Sequence, residues 1–252
     1  MIVALTSWRG IGTTTAALAL ARAAAARGAR PVLVEADPAG GVLAGRLAQV
    51  TGGGLEALAF PPRRSTTSDD VLAAAIDHDG IELVTASGDP FRAWSCHQPR
   101  VPWAPALREL GERRDVIVDL GRMRGASPAA ALLAIADVVL VVSDADVVSL
   151  AGTLDWVAAL GRVSPVDQPL AADTVRALVV EAPTALEPVR RVDAEADLGD
   201  RLAGWLPWSP ACASALTSGR TSVPRVARRS PLLRAASELL DRVDRWTTGV
   251  AA

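Results

Sequence analysis

Residues Met1–Thr15 read MIVALTSWRGIGTTT, and the pattern they set recurs through the rest of the chain. Met1–Ser7 is a short apolar run with β-branched residues, Trp8–Thr15 carries two glycines, and Thr14–Arg27 is an alanine-rich stretch of high helix propensity. The order is strand, loop, helix. Gly28 ends the helix, and Pro31–Glu35 (PVLVE) supplies a second buried strand that runs into Ala36, Asp37 and Pro38. Two strands joined by a helix form a right-handed βαβ unit. Further apolar runs stand at Ile81–Thr85, Asp115–Asp119, Asp137–Ser143, Val175–Val180 and Leu202–Leu206, most of them separated by helix-like segments. Their hydrophobicity is continuous rather than alternating, as in strands covered on both faces. The predicted fold is therefore α/β: a doubly wound, mostly parallel sheet flanked by helices in three layers, with residues 1–252 as one domain. Ligands of such a sheet bind beyond the carboxyl ends of its strands.

With 252 residues and 50% hydrophobic content, the chain is long enough for one large core. A formal net charge of −2 supplies no bulk attraction to nucleic acid or to an anionic membrane, so partners must be argued from local sites. Cys96 and Cys212 are far apart and form no CxxC pair, so they suggest neither a zinc site nor a disulfide framework, and a reduced, cytoplasmic setting fits. Met1–Leu5 is too short for a signal sequence or a membrane span, and a soluble protein is expected. The sequence has no lysine, asparagine or tyrosine. Gly52–Asp70 reads as a connection around one short helix, and Phe91–Pro105, with Trp94, His97 and Trp103 among prolines, as an irregular insert covering part of the sheet. His97 has no partner at ligand spacing and is expected to pack rather than react.

A glycine-containing loop between a strand and a helix points backbone N–H groups and the positive helix end at an anion. In that context Trp8–Thr15 (WRGIGTTT) resembles the deviant Walker A motif of MinD/ParA proteins, KGGxGK followed by serine or threonine and then threonine. Gly10, Gly12, Thr14 and Thr15 match it. Trp8 stands at the signature lysine, Arg9 at the first glycine and Thr13 at the phosphate-binding lysine, so both lysines are absent. Glu35-Ala36-Asp37-Pro38 is similar to the family's DxD-proline strand end, Val116–Asp119 to its Walker B strand, Asp137–Leu150 to the next strand and turn, and Trp205–Ser222 to its last nucleotide-side loop and helix. The resemblance covers nearly the whole chain, and the chain is similar to atypical members of the TadZ/CpaE type.

The resemblance implies that Arg9, Gly10, Ile11, Gly12, Thr13, Thr14 and Thr15, with Glu181 and Pro207 near the base, are the residues that would hold ATP or ADP. Mg²⁺ would be held by Thr14, Asp37 and Asp119, and Asp37 would position the attacking water. A loop without any ligand remains the other reading of Gly10 and Gly12, which also suit a tight strand-to-helix turn. Phosphoryl transfer rests on fixed cations, so loss of both lysines implies weak or lost hydrolysis, with Arg9 the one residue placed to substitute. Two functions follow from the resemblance: a localisation or regulatory protein acting through protein contacts and a homodimer, or a slow ATPase partitioning DNA or another cargo. A metabolic P-loop enzyme fits the missing lysines less well. Pro231–Trp246 is amphipathic, and its mixed charges fit a core-facing helix better than a membrane-bound one. The arginines of Arg220–Arg234 form either a solvated face or a patch for DNA phosphate or an acidic partner.

Overall fold

The computed structural model describes residues 1–47, 53–61, 65–124, 127–160, 170–171, 173–183, 186–218 and 229–249. Within them, eight strands form one sheet: β1 (Ile2–Ser7), β2 (Val32–Glu35), β3 (Ile76–His78), β4 (Ile81–Val84), β5 (Val116–Arg122), β6 (Val138–Asp144), β7 (Val175–Glu181) and β8 (Leu202–Pro207), in the order β3-β4-β2-β5-β1-β6-β7-β8. Every pairing is parallel except that of β3 with β4. The doubly wound α/β architecture expected from the apolar runs is the one observed. Edge strand β3 was not anticipated: it has three residues, IDH, of which only His78 is buried.

Side chains of β1 alternate between two cores although all six are buried. The first five helices in the chain are α1 (Thr13–Ala26), α2 (Leu43–Leu47), α3 (Gly54–Ala59), α4 (Ser68–Ala74) and α5 (Pro90–Ser95). Ile2 and Ala4 face a layer with Leu107, Leu110, Leu132 and Val157, drawn from α6 (Ala104–Gly111), the 3-10 helix Pro128–Ile135 and α7 (Val147–Leu160). Val3 and Leu5 face α1 (Thr13–Ala26) and the C-terminal helix Pro231–Thr248. The alanine run of α1 is buried on almost every side because it lies between the sheet and that last helix. The helix itself buries Leu232, Leu233, Ala236, Leu239, Leu240 and Val243, so its apolar stripe belongs to the core. Among the described residues no helix is long and apolar enough to cross a membrane.

The segment read as an irregular insert contains α5 (Pro90–Ser95) and the start of α6. Asp89 caps α5 by accepting from the N–H of Phe91 at 2.9 Å, and each helix has a proline in its first turn, where no N–H is needed. His97 is buried in this corner, its ring nitrogens 2.9 Å from the Ala93 carbonyl and 3.1 Å from the Ala36 carbonyl, as a packing role requires. Arg220, Arg225 and Arg228 of the basic stretch lie outside the described residues, as does part of the Gly52–Asp70 connection.

Candidate functional site

Strand register brings the strand ends to one level. Asp119 of β5 is opposite Leu5 of β1 and Glu35 of β2, while Val180 of β7 is opposite Asp144 of β6 and Leu206 of β8. The loop after β1 therefore emerges beside the carboxylates of β2 and β5 on one side and the ends of β6 to β8 on the other.

Gly12 is the N-cap of α1 at φ 66°, and Gly10 has φ 79°, a left-handed backbone open to glycine at little cost. No side chain caps α1, so its first-turn N–H groups point out as donors for an anion. Ser7 ties the loop together: its hydroxyl oxygen accepts from the Gly10 N–H at 2.9 Å and from the Thr13 hydroxyl at 3.1 Å. Thr13 is 4% exposed and turned inward to that bond, so the position of the phosphate-binding lysine offers neither charge nor reach. Trp8 is equally committed. Its indole N–H donates to the Ser149 carbonyl at 3.2 Å, and its ring lies against Gly152 of α7, where a Cβ would stand 2.3 Å from Cζ2. Arg9 stacks over Trp8 with its guanidinium carbon 5.3 Å from the ring centre and donates to the Ser149 hydroxyl at 3.2 Å.

The carboxylates have separate roles. Glu35 is a structural acceptor: Oε1 takes the N–H groups of Val42 at 2.6 Å and Leu43 at 3.0 Å, and Oε2 that of Ala86 at 3.0 Å. Burial nevertheless raises its pKa. Asp37 accepts from the Ala39 N–H at 2.8 Å; burial raises its pKa, while the Ala39 and Arg122 N–H groups and the Arg122 guanidinium oppose the rise. Asp119 is fully buried. One oxygen accepts from the Gly121 N–H at 3.0 Å, and Oδ2 has no hydrogen-bond partner. Burial pushes its pKa up to about 7; the Thr14 hydroxyl and Gly121 N–H favour ionisation, and the nearby Glu35 and Asp37 disfavour it.

On the other side of the loop, a cavity of about 350 Å³ is walled by Gly10, Ile11, Gly12 and Thr15 of the expected set, with Pro207 from β8. Arg9, Thr13, Thr14 and Glu181 do not line it. Arg9 opens onto a different cavity, Thr13 faces Ser7, Thr14 belongs with Asp119, and the exposed Glu181 carboxylate stands 3.9 Å from Arg191. The cavity is mostly apolar, through Val180, Leu206, Trp208 and Leu232. It also contains Asp144, whose Oδ1 is buried without a hydrogen bond. Sequence reasoning missed Asp144 although it ends an apolar run, the same signal that marks Asp119.

No family model matches the chain, and no curated protein does. Solved structures do. The septum site-determining protein MinD of Pyrococcus horikoshii, complexed with Mg-ADP, superimposes with a TM-score of 0.73 at 17% identity over 99% of this chain and 98% of its own. The cell division ATPase MinD of Pyrococcus furiosus gives 0.74 at 17% over 97% and 98%. A ParA family ATPase from Chlorobium tepidum TLS gives 0.66 at 15% over 95% and 98%. The chain has the MinD/ParA P-loop NTPase fold, and the likeness runs end to end.

The residues fit a bound nucleotide in part. The uncapped α1 terminus and left-handed glycines suit phosphate oxygens, and the orphaned Asp119 Oδ2 beside Thr14 is the kind of acceptor that a hydrated Mg²⁺ satisfies. If bound, Mg²⁺ would neutralise phosphate charge, with Thr14, Asp37 and Asp119 as its holders. The cationic half of a phosphate site is lacking at positions 8 and 13.

Proposed function

We propose that this chain is a non-standard MinD/ParA-like localisation or regulatory protein whose ATPase activity is weak or lost. In this reading residues 1–252 act as one cytoplasmic domain that works through protein contacts and homodimerisation, in the manner of atypical TadZ/CpaE-type members that help position pilus or secretion machinery. The observation that carries it is the pair of lysine positions: Thr13 hydrogen-bonds inward to Ser7 and Trp8 packs on α7, while the glycine loop keeps its shape. Each fixed cation missing from a transition state costs about 3 kcal/mol by analogy with oxyanion donors, so losing two slows hydrolysis by several powers of ten. Binding suffers less, because helix-end N–H groups and Mg²⁺ attract phosphate without a side-chain cation. The end-to-end likeness to a septum site-determining protein, a cell division ATPase and a ParA family ATPase supports a positioning role.

The second reading, a slow ATPase that partitions DNA or cargo, is favoured by Arg9, which is exposed and adjoins Gly10. Calorimetric titration with Mg·ATP and Mg·ADP separates the two, with Arg9→Ala and Asp37→Ala alongside and phosphate release measured in parallel. The regulatory reading expects turnover that is absent or marginal and is unchanged by Arg9→Ala. Sustained turnover abolished by Arg9→Ala refutes it in favour of the second.

A further inference from the structure

A second cavity, of about 420 Å³, opens on the other side of the loop from the apolar one and is lined by Trp8, Arg9, Arg122, Met123, Arg124 and Trp156. The end of β5 builds its floor. Met123 is buried and its N–H donates to the Ser7 carbonyl at 2.9 Å, which fixes the strand end beside the start of the loop. Arg122 and Arg124 flank it and are both exposed, the alternation expected of extended backbone. The Arg122 stem covers the loop, since a Cβ on Gly10 would lie 3.7 Å from its Cδ. Arg9 is held from the third side by the Ser149 hydroxyl and the Trp8 ring.

Three arginines thus line a space that has no carboxylate among its described lining residues. Among the described residues none of the three is within 4.0 Å of an acidic oxygen, and Asp37 is the acid whose charge Arg122 feels. Like charges gathered in excess of their counter-charge repel, and an anion relieves them. Arginine forks bind phosphate oxygens in pairs, Trp8 and Trp156 give the cavity apolar walls, and its volume is within the range of small-ligand sites. We propose that this cavity binds a condensed-phosphate group, a diphosphate or triphosphate, outside the helix-end site of the loop. The phosphate is either free or the tail of a nucleotide whose base occupies the neighbouring cavity. The proposal does not depend on whether the chain hydrolyses ATP.

The test uses the full chain without Mg²⁺, titrated with sodium tripolyphosphate by calorimetry. Each lost charged contact is expected to weaken binding about tenfold, so Arg122→Ala and Arg124→Ala should each do so while Arg124→Lys retains part of the affinity. Arg245→Ala, on the last helix, removes the same net charge elsewhere and should leave binding unchanged. Thermal melting checks that the variants are folded. No saturable binding at millimolar tripolyphosphate overturns the proposal, as does binding indifferent to Arg122→Ala and Arg124→Ala, which would put the anion in the loop. An ATP arm tells the sources apart. ATP binding tighter than tripolyphosphate, with the advantage lost in Trp208→Ala, identifies a nucleotide tail, and equal affinities identify a free condensed phosphate; both keep the site.

Discussion

The contact between Trp8 and Gly152 can be tested as a coupling energy. Gly152 is inside α7, where alanine would ordinarily be better than glycine by about 1 kcal/mol because it restricts the unfolded backbone. Here an added Cβ would stand 2.3 Å from Cζ2 and 2.5 Å from Cε2 of the Trp8 indole, well inside contact distance. The ring would have to shift, loosening its hydrogen bond to the Ser149 carbonyl and its stack with Arg9. Overpacking of this kind costs about 1–3 kcal/mol. Gly152→Ala should therefore be neutral to destabilising by about 2 kcal/mol in the native background. In a Trp8→Ala background, with nothing left to strike, it should stabilise by about 1 kcal/mol. The difference is a coupling of about 1–3 kcal/mol, read from urea unfolding of the two single variants, the double variant and the parent. In melting experiments each kcal/mol is worth about 2–4 °C at this chain length. A coupling below about 0.5 kcal/mol would refute the placement of Trp8 against its own helix, and with it the argument that the signature position is committed within the subunit.

Three further outcomes are expected. The Asp119 carboxyl, raised from an ordinary 3.8 to about 7, binds its proton more tightly folded than unfolded, so stability falls as pH rises through roughly 4 to 7, by at most about 4 kcal/mol. Urea midpoints across that range should fall with rising pH in the parent, and a parallel fall in Asp119→Asn would discredit the assignment. Glu35→Ala strands three backbone N–H groups and should cost about 3 kcal/mol or more in chemical denaturation, whatever happens to nucleotide affinity; a cost under about 1 kcal/mol would show that Glu35 is not the structural acceptor described. Thr13→Lys returns a cation to the loop and should tighten Mg·ADP binding about tenfold or more by calorimetry, whereas unchanged affinity would mean that the missing charge is not what limits binding.

How much of this was legible depended on whether a residue's partners are local. The seven parallel strands could be read because burial on both faces forces continuous apolar runs. Asp119 was legible because a carboxylate ends such a run. Strand β3 was not, since three residues with one buried side chain leave no pattern. Prolines around Phe91–Pro105 suggested irregularity, yet Pro90 and Pro105 occupy first-turn positions that helices accept. Glu35 stands where the DxD pattern it resembles has an aspartate, and its partners Val42, Leu43 and Ala86 meet only when β2 and β4 pair. The fate of Trp8 and Thr13 was equally hidden: a sequence shows that lysine is missing, and only packing shows what the replacement does.

Among the charges that bear on Asp119, Glu35 and Asp37 raise its pKa, and no cation stands against them. A lysine at position 13 would oppose that rise, as an ammonium near buried carboxylates holds them ionised. Without it, burial and the two neighbouring carboxylates raise the Asp119 pKa with no cation among the described residues to oppose them. The positive charge around the loop is meanwhile on its outer side, on Arg9, Arg122 and Arg124, where solvent or another molecule can reach it. A cationic rim built on the loop that frames the strand-end carboxylates is open to an anion from solvent, and that is the property the tripolyphosphate titration reads.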